Sequence, residues 1–223
     1  MAVALIVAAG RGERLGSVVP KALVNVAGRP MLYWSIRAIQ AVSAISTIVV
    51  ALPADHLKEA PPGTIAVAGG ATRSESVRAA LRAAPQGDVV VVHDAARALV
   101  TPDLFARAII AFERSGADAL VTAAPVTDTI KQVSPAGDMR VTSTLDRSRL
   151  WAVQTPQVFH RAALEWALAA SREQLARATD DATLIEHGGG IVAVMPSSSE
   201  NFKITTPLDL RIASLLLGER RGA

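Results

Sequence analysis

The chain has 223 residues, half of them hydrophobic and 19% charged, which supplies ample material for a packed core and excludes global disorder. A net charge of +3, 4% aromatic residues and no lysine-arginine run beyond Arg220-Arg221 count against general nucleic-acid binding. The absence of cysteine excludes disulfides, thiolate zinc sites and cysteine nucleophiles, and suits a reducing cytoplasm.

The opening MAVALIVAAG has no basic leader and is only about half a membrane span, so it reads as a buried first strand, with no membrane partner expected. Further apolar runs at 46–52, 64–68, 88–92 and 119–124, like that at 3–8, are rich in Val, Ile and Ala and bounded by Gly, Pro or Asp. They read as strands buried on both faces. Between them, 31–42, 74–84 and 102–115 carry helical periodicity, and Thr101-Pro102 opens the last with an N-cap and a proline at the first helical position. This alternation predicts an α/β doubly wound, mostly parallel sheet with ligands at the carboxyl ends of its strands.

Residues 128–145 break the pattern. They alternate apolar and polar around Pro135-Ala136-Gly137-Asp138, which predicts a hairpin too polar to be buried on both faces and suited to pack on another subunit. A strand at 151–159, helices at 161–176 and 181–187, a strand at 191–195 and a helix at 207–217 follow. The expected organisation is one domain, 1–223, with a β-arm inserted at about 127–148.

The loop after the first strand, AAGRGERLGSVVPK, fits neither of the common phosphate-binding patterns. Gly16 is followed by Ser17 rather than by a Walker lysine, and Leu15 stands at the third glycine of a dinucleotide fingerprint. Its backbone N–H groups, with Gly10 and Gly12, could still form an anion-binding concavity to which Arg14 and Lys21 add full charges. An ordinary surface loop with solvated cations is the competing reading.

VVVVHDAARALVTP delivers Asp94 to a strand end, where one carboxylate suits Mg²⁺ shared with substrate phosphates, and Arg97 follows as a phosphate fork. A capping role for Asp94 is the alternative, and His93, with no second histidine at ligand spacing, reads as structural. In AGGATRSESV, Gly70 could lie against a flat base and Ser76 could hydrogen-bond it, or the segment is a plain strand-to-helix turn capped by Ser74. Thr129, Arg147, Thr155 and Lys203 each have a bland reading when taken singly.

Taken together, AAGRGERLG…PKA, GGATRSESV, HDAAR, DTIK, TLDR, QTPQVF, TDDA and NFKIT closely resemble, in order and spacing, the 2-C-methyl-D-erythritol 4-phosphate cytidylyltransferase family over residues 3–217. The resemblance implies a Rossmann-like nucleotidyltransferase fold and a divalent cation, Mg²⁺. It implies Arg14, Lys21 and Lys203 as catalytic cations and Ala8, Ala9, Gly10, Gly12, Gly70, Ser76 and Asp94 around the nucleotide, with Asp94 also on the metal. Arg97, Thr129, Arg147, Thr155 and Lys203 would hold the polyol phosphate. It implies a homodimer formed through the arm, with each site using both chains. Ala71 departs from the acidic or polar residue that some relatives carry there, so base reading at that point would fall to the backbone. With little chain after the final helix, no fused cyclodiphosphate-synthase domain is expected.

The expected reaction is attack of a phosphate oxygen on the α-phosphorus of CTP, governed by positioning and charge neutralisation rather than by a protein nucleophile. Two other readings stay open at this point. One is a different acceptor or base, such as ribitol 5-phosphate, or a sugar 1-phosphate with UTP. The other is a nucleotide-binding regulatory module without catalysis.

Overall fold

The computed structural model describes residues 1–223 except 11, 13, 14, 18, 135–138 and 223, and the side chains of 221 and 222. Its centre is a seven-stranded sheet. In chain order the strands are β1 (Ala2–Val7), β4 (Ile45–Leu52), β5 (Ile65–Ala68), β6 (Val89–Asp94), β7 (Ala119–Pro125), β10 (Trp151–His160) and β11 (Val192–Pro196). Across the sheet they run β11-β7-β10-β6-β1-β4-β5. All neighbours are parallel except β10, which runs antiparallel between β6 and β7. The remaining strands form two small hairpins: β2 (Asn25–Val26) with β3 (Arg29–Pro30), and β8 (Lys131–Val133) with β9 (Val141–Thr144).

The strands read as unbroken apolar runs because helices cover both faces. Along β1, Ala4 and Ile6 join the core built with α1 (Met31–Gln40) and α3 (Pro102–Ser115), including Ile36, Ile39, Phe105 and Phe112. Val3 and Leu5 point the other way, into a core with Val77, Leu81, Leu164 and Ile185 from α2 (Arg73–Ala83), α4 (Arg161–Leu168) and α6 (Asp181–His187). A third cluster joins α7 (Pro207–Gly222), through Ala213 and Leu217, to Val26, Met31 and Leu99. Truncating a fully buried ring such as Phe105 or Phe159 to alanine would cost about 3–5 kcal/mol.

Two expectations change. The single helix expected over 161–176 is two, α4 and α5 (Arg172–Arg177), because Ser171 and Gln174 form a reciprocal capping box that starts a new helix. The cap of α2 is Thr72, not Ser74. Its hydroxyl accepts from Glu75 N, and the Glu75 carboxylate reaches back to Thr72 N. The expected arm is present as β8 and β9, leaving the sheet after β7 and returning into β10; its turn at 135–138 lies outside the described residues.

Candidate active site

The chain runs outward from β1 to β4 and β5 on one side, then returns to β6 on the other, so the strand order reverses between β1 and β6. Ligands of open α/β sheets bind beyond the carboxyl ends at such a point. Val7 and Asp94, the last residues of β1 and β6, are partners across it. A cavity of about 1020 Å³ opens there, and Ala8, Ala9, Gly10, Gly12, Lys21, Gly70, Ser76, Asp94 and Lys203 line it. Nine of the residues marked out in the sequence therefore meet in one place.

Backbone contacts shape the loop after β1. Leu15 N donates to Gly12 O at 2.8 Å, and Lys21 N donates to Gly10 O at 3.3 Å. Gly12 has φ +73°, and a Cβ there would lie 2.7 Å from Lys21 Cβ. Glycine at this position is what lets the lysine backbone close against the loop. Arg14 lies outside the described residues.

Asp94 is the electrostatic centre. Its Oδ1 accepts from Arg73 Nε at 3.0 Å and its Oδ2 from Lys203 Nζ at 2.7 Å. Burial by itself would raise the carboxyl, but Arg73 and then Lys203 outweigh it and hold it well below the usual carboxylate range. The Lys203 side chain is 42% exposed and faces the cavity from the far side of the chain.

Behind Asp94 stands a buried row of hydroxyls and imidazole. Thr155 Oγ1 accepts from Asp94 N at 3.0 Å and hydrogen-bonds His93 Nδ1 at 3.0 Å, while His93 Nε2 meets Ser35 Oγ at 3.2 Å. Burial pushes His93 down to about 3, so the imidazole is neutral and its two nitrogens take one donor and one acceptor role. His93 is structural, as its sequence context suggests. Thr155 was expected to hold substrate, but its hydroxyl is buried and does not line the cavity. β10 departs from its pairing with β7 between Val153 and Gln157, and that irregularity places the hydroxyl against Asp94.

Across the cavity, Gly70 N donates to Ser76 Oγ at 3.1 Å, and Ser76 Oγ donates to Thr72 O at 3.0 Å. A Cβ at Gly70 would lie 2.3 Å from Glu75 Cβ, so the turn requires a bare backbone. Ser76 thus fixes the turn as well as lining the cavity.

The expected polyol-phosphate residues other than Lys203 do not gather in this cavity. Arg97 donates from Nη1 to Asn201 O at 2.8 Å and from Nη2 to Val153 O at 3.1 Å, tying β10 to the segment after β11. Arg147 Nη1 donates to Thr127 O at 2.7 Å at the base of the arm, and Arg147 and Thr129 are both exposed.

Among the described residues no group of three His, Cys, Asp or Glu side chains could hold a metal ion. The donor set fits instead an ion that takes one carboxylate, Asp94, and completes its shell with substrate phosphates and water, as Mg²⁺ commonly does. Each Asp94 oxygen has a second lone pair beyond the cation it already meets.

Two site residues escape the sequence reading. Arg73, first in α2, lines the cavity and bridges Asp94 to Asp181 of α6. Burial by itself would lower its pKa, but Asp181 and Asp94 outweigh that and raise it above the ordinary arginine range. The signals available were the arginine spacing in GG-x-x-R and the paired acids of TDDA.

The chain as a whole is similar to named enzymes in sequence and in fold. A relative from Nocardia farcinica, named 2-C-methyl-D-erythritol 4-phosphate cytidylyltransferase, is 47% identical over 224 residues, covering 98% of this chain and 94% of the relative. One of the same name from Saccharopolyspora erythraea is also 47% identical, covering 96% and 98%. Among solved structures, the Thermus thermophilus 2-C-methyl-D-erythritol 4-phosphate cytidylyltransferase superposes with a TM-score of 0.79 at 36% identity, over 97% of this chain and 98% of that one. The 4-diphosphocytidyl-2C-methyl-D-erythritol synthase of Anaerococcus prevotii gives 0.82 at 30% identity with the same coverage. The family model for 2-C-methyl-D-erythritol 4-phosphate cytidylyltransferase matches residues 2–219, and the chain belongs to that family.

Proposed function

We propose that this chain transfers CMP from CTP to 2-C-methyl-D-erythritol 4-phosphate, releasing pyrophosphate, in isoprenoid precursor biosynthesis. The observation that carries the reading is the convergence of Lys21, Arg73 and Lys203 with one carboxylate, Asp94, on a cavity at the strand-order reversal. A phosphate oxygen of the polyol phosphate attacks the α-phosphorus of CTP. The bond from that phosphorus to the bridging oxygen breaks, and its electron pair leaves on pyrophosphate.

The attacking oxygen is already an anion near neutral pH, so no strong general base is required. What the chemistry needs is fixed positive charge where negative charge concentrates. Lys21 and the loop N–H groups serve the triphosphate, and Lys203 serves the α-phosphate beside Asp94. Asp94 would hold Mg²⁺, which when bound supplies further positive charge to the phosphate oxygens. Ala8, Ala9 and Gly70 offer a flat apolar and backbone surface for the base.

The arm supports a homodimer. Val133, Met139, Val141, Leu145, Trp151 and Val153 are exposed along it and at its root, a surface suited to a second copy. Arg147 and Thr129 would then act in the partner's cavity. The chain contains no helix, among its described residues, long and apolar enough to cross a membrane. Use of a nucleoside triphosphate and a sequence without cysteine support a cytoplasmic location.

The test is pyrophosphate release across the four NTPs and a panel of polyol and sugar phosphates. Release confined to CTP with 2-C-methyl-D-erythritol 4-phosphate is the expected result. Release with another pair would redirect the reading, and release with none would favour a binding module.

A further inference from the structure

Asp181 has no part in the mechanism above, yet it is the most deeply buried acid at the site. It is 0% exposed, it does not line the cavity, and its Oδ2 takes Arg73 Nη1 while its Oδ1 has no hydrogen-bond partner among the described residues. A buried carboxylate with an orphaned oxygen is costly, and buried ion pairs are often matched or bettered by apolar ones. Stability therefore gives no reason for the charge.

The surroundings are built to hold it still. Asp180, the N-cap of α6, accepts from Thr183 N at 2.9 Å and from Thr183 Oγ1 at 2.7 Å through Oδ1, and its Oδ2 accepts from Gln157 Nε2 at 2.8 Å. This pins the start of the helix to β10, the strand that also carries Thr155.

We propose that Asp181 is a positioning residue of the transfer reaction, acting through Arg73 to orient that guanidinium between Asp94 and the nucleotide. The proposal rests on the activity set out above. Arg73 spends Nε on Asp94 and Nη1 on Asp181, which fixes the plane of the guanidinium, and Nη2 has no hydrogen-bond partner among the described residues. Asp181 also balances the charge. With it present, Arg73 is shared between two carboxylates and Asp94 keeps lone pairs for other cations. Without it, Arg73 turns wholly to Asp94 and draws that carboxylate away from the nucleotide.

The experiment is steady-state kinetics on the full chain, varying CTP and 2-C-methyl-D-erythritol 4-phosphate separately, for Asp181→Asn, Arg73→Gln and the double variant. Asp181→Asn should raise KM for CTP about tenfold and leave KM for the polyol phosphate within about twofold, the split expected when one substrate's positioning is lost. The double variant should be no worse than Arg73→Gln alone, because one residue acts through the other. Asp181→Asn kinetics equal to wild type, or effects that multiply, would overturn the proposal while leaving the activity standing. A wild-type chain that turned over no substrate would overturn the activity and this role with it. If Asp181→Asn does not fold, Asp181→Ser takes its place with Arg73 kept: wild-type KM for CTP would overturn the role, and a raised one with KM for the polyol phosphate unchanged would support it.

Discussion

Lys203 Nζ donates to Asp94 Oδ2 at 2.7 Å across 109 residues of sequence, closing the cavity between the end of β6 and the segment before α7. Without this lysine Asp94 would still keep Arg73 on its other oxygen. Lys203→Ala should therefore leave the fold intact and lower kcat about 10²–10³-fold, the usual effect of removing one preorganised donor. Pyrophosphate release together with a thermal melt checks this. A folded variant with wild-type kcat would remove Lys203 from the chemistry.

Lys21 makes a parallel case on the opposite wall. Lys21→Ala should lower kcat by about 10²-fold with little change in melting temperature, since charge at the triphosphate is lost while the backbone bond from Lys21 N to Gly10 O is kept. Gly12→Ala should impair turnover without touching any charge. The added Cβ would sit 2.7 Å from Lys21 Cβ at a backbone angle of φ +73°. If Gly12→Ala kept full activity, the loop would not be what aims the lysine.

Some of this was legible in the sequence, and physics separates what was from what was not. The strands were readable because β1, β4 and β6 are buried on both faces, which makes each an unbroken apolar run. Gly12 and Asp94 stood out as a loop glycine and a strand-end charge, whereas Lys203, between β11 and α7, was marked only by the family resemblance. The break before α5 was not, since Ser171 sits inside a stretch with continuous helical period. Arg73 looks like any solvated first-turn residue until Asp181, 108 residues away, is brought beside it. The turn of the Thr155 hydroxyl towards Asp94 was not legible, because sequence cannot show which way a hydroxyl points at an irregularity in β10. The contacts of Arg97 were not legible for a similar reason, its partners being two backbone carbonyls distant in sequence.

His93 makes stability depend on pH in a defined direction. Its pKa falls from 6.5 in the unfolded chain to about 3 in the fold, so the unfolded state binds the extra proton between those values. Stability is then fully present above pH 6.5 and is lost as pH falls towards 3. By about pH 4.5 the loss should be about 2–3 kcal/mol. Asp94 adds little between about pH 7.5 and about pH 4.5, because the stability from its depressed pKa is lost chiefly below the ordinary carboxylate value. Urea unfolding at about pH 7.5 and about pH 4.5 measures the difference. His93→Gln should be less stable at neutral pH but should flatten the slope. An unchanged slope would place the titration elsewhere.

The arm can be tested without a structure of the dimer. Arg147 and Thr129 are exposed at the arm's base and do not line the cavity of their own chain, whereas Lys21 does. If the arm crosses to a second copy, a dimer of Arg147→Ala chains lacks the polyol-phosphate contact in both sites, and a dimer of Lys21→Ala chains lacks the triphosphate contact in both. Mixing the two allows subunit exchange, and each heterodimer then holds one site with both defects and one with neither. Activity should rise from near zero to about a quarter of wild type at equal mixing, because half the chains enter heterodimers and half of their sites are intact. Activity that stayed at the level of the parents after exchange, followed by labelled subunits, would mean each chain supplies its own arginine, and the arm would then have to fold back onto its own cavity.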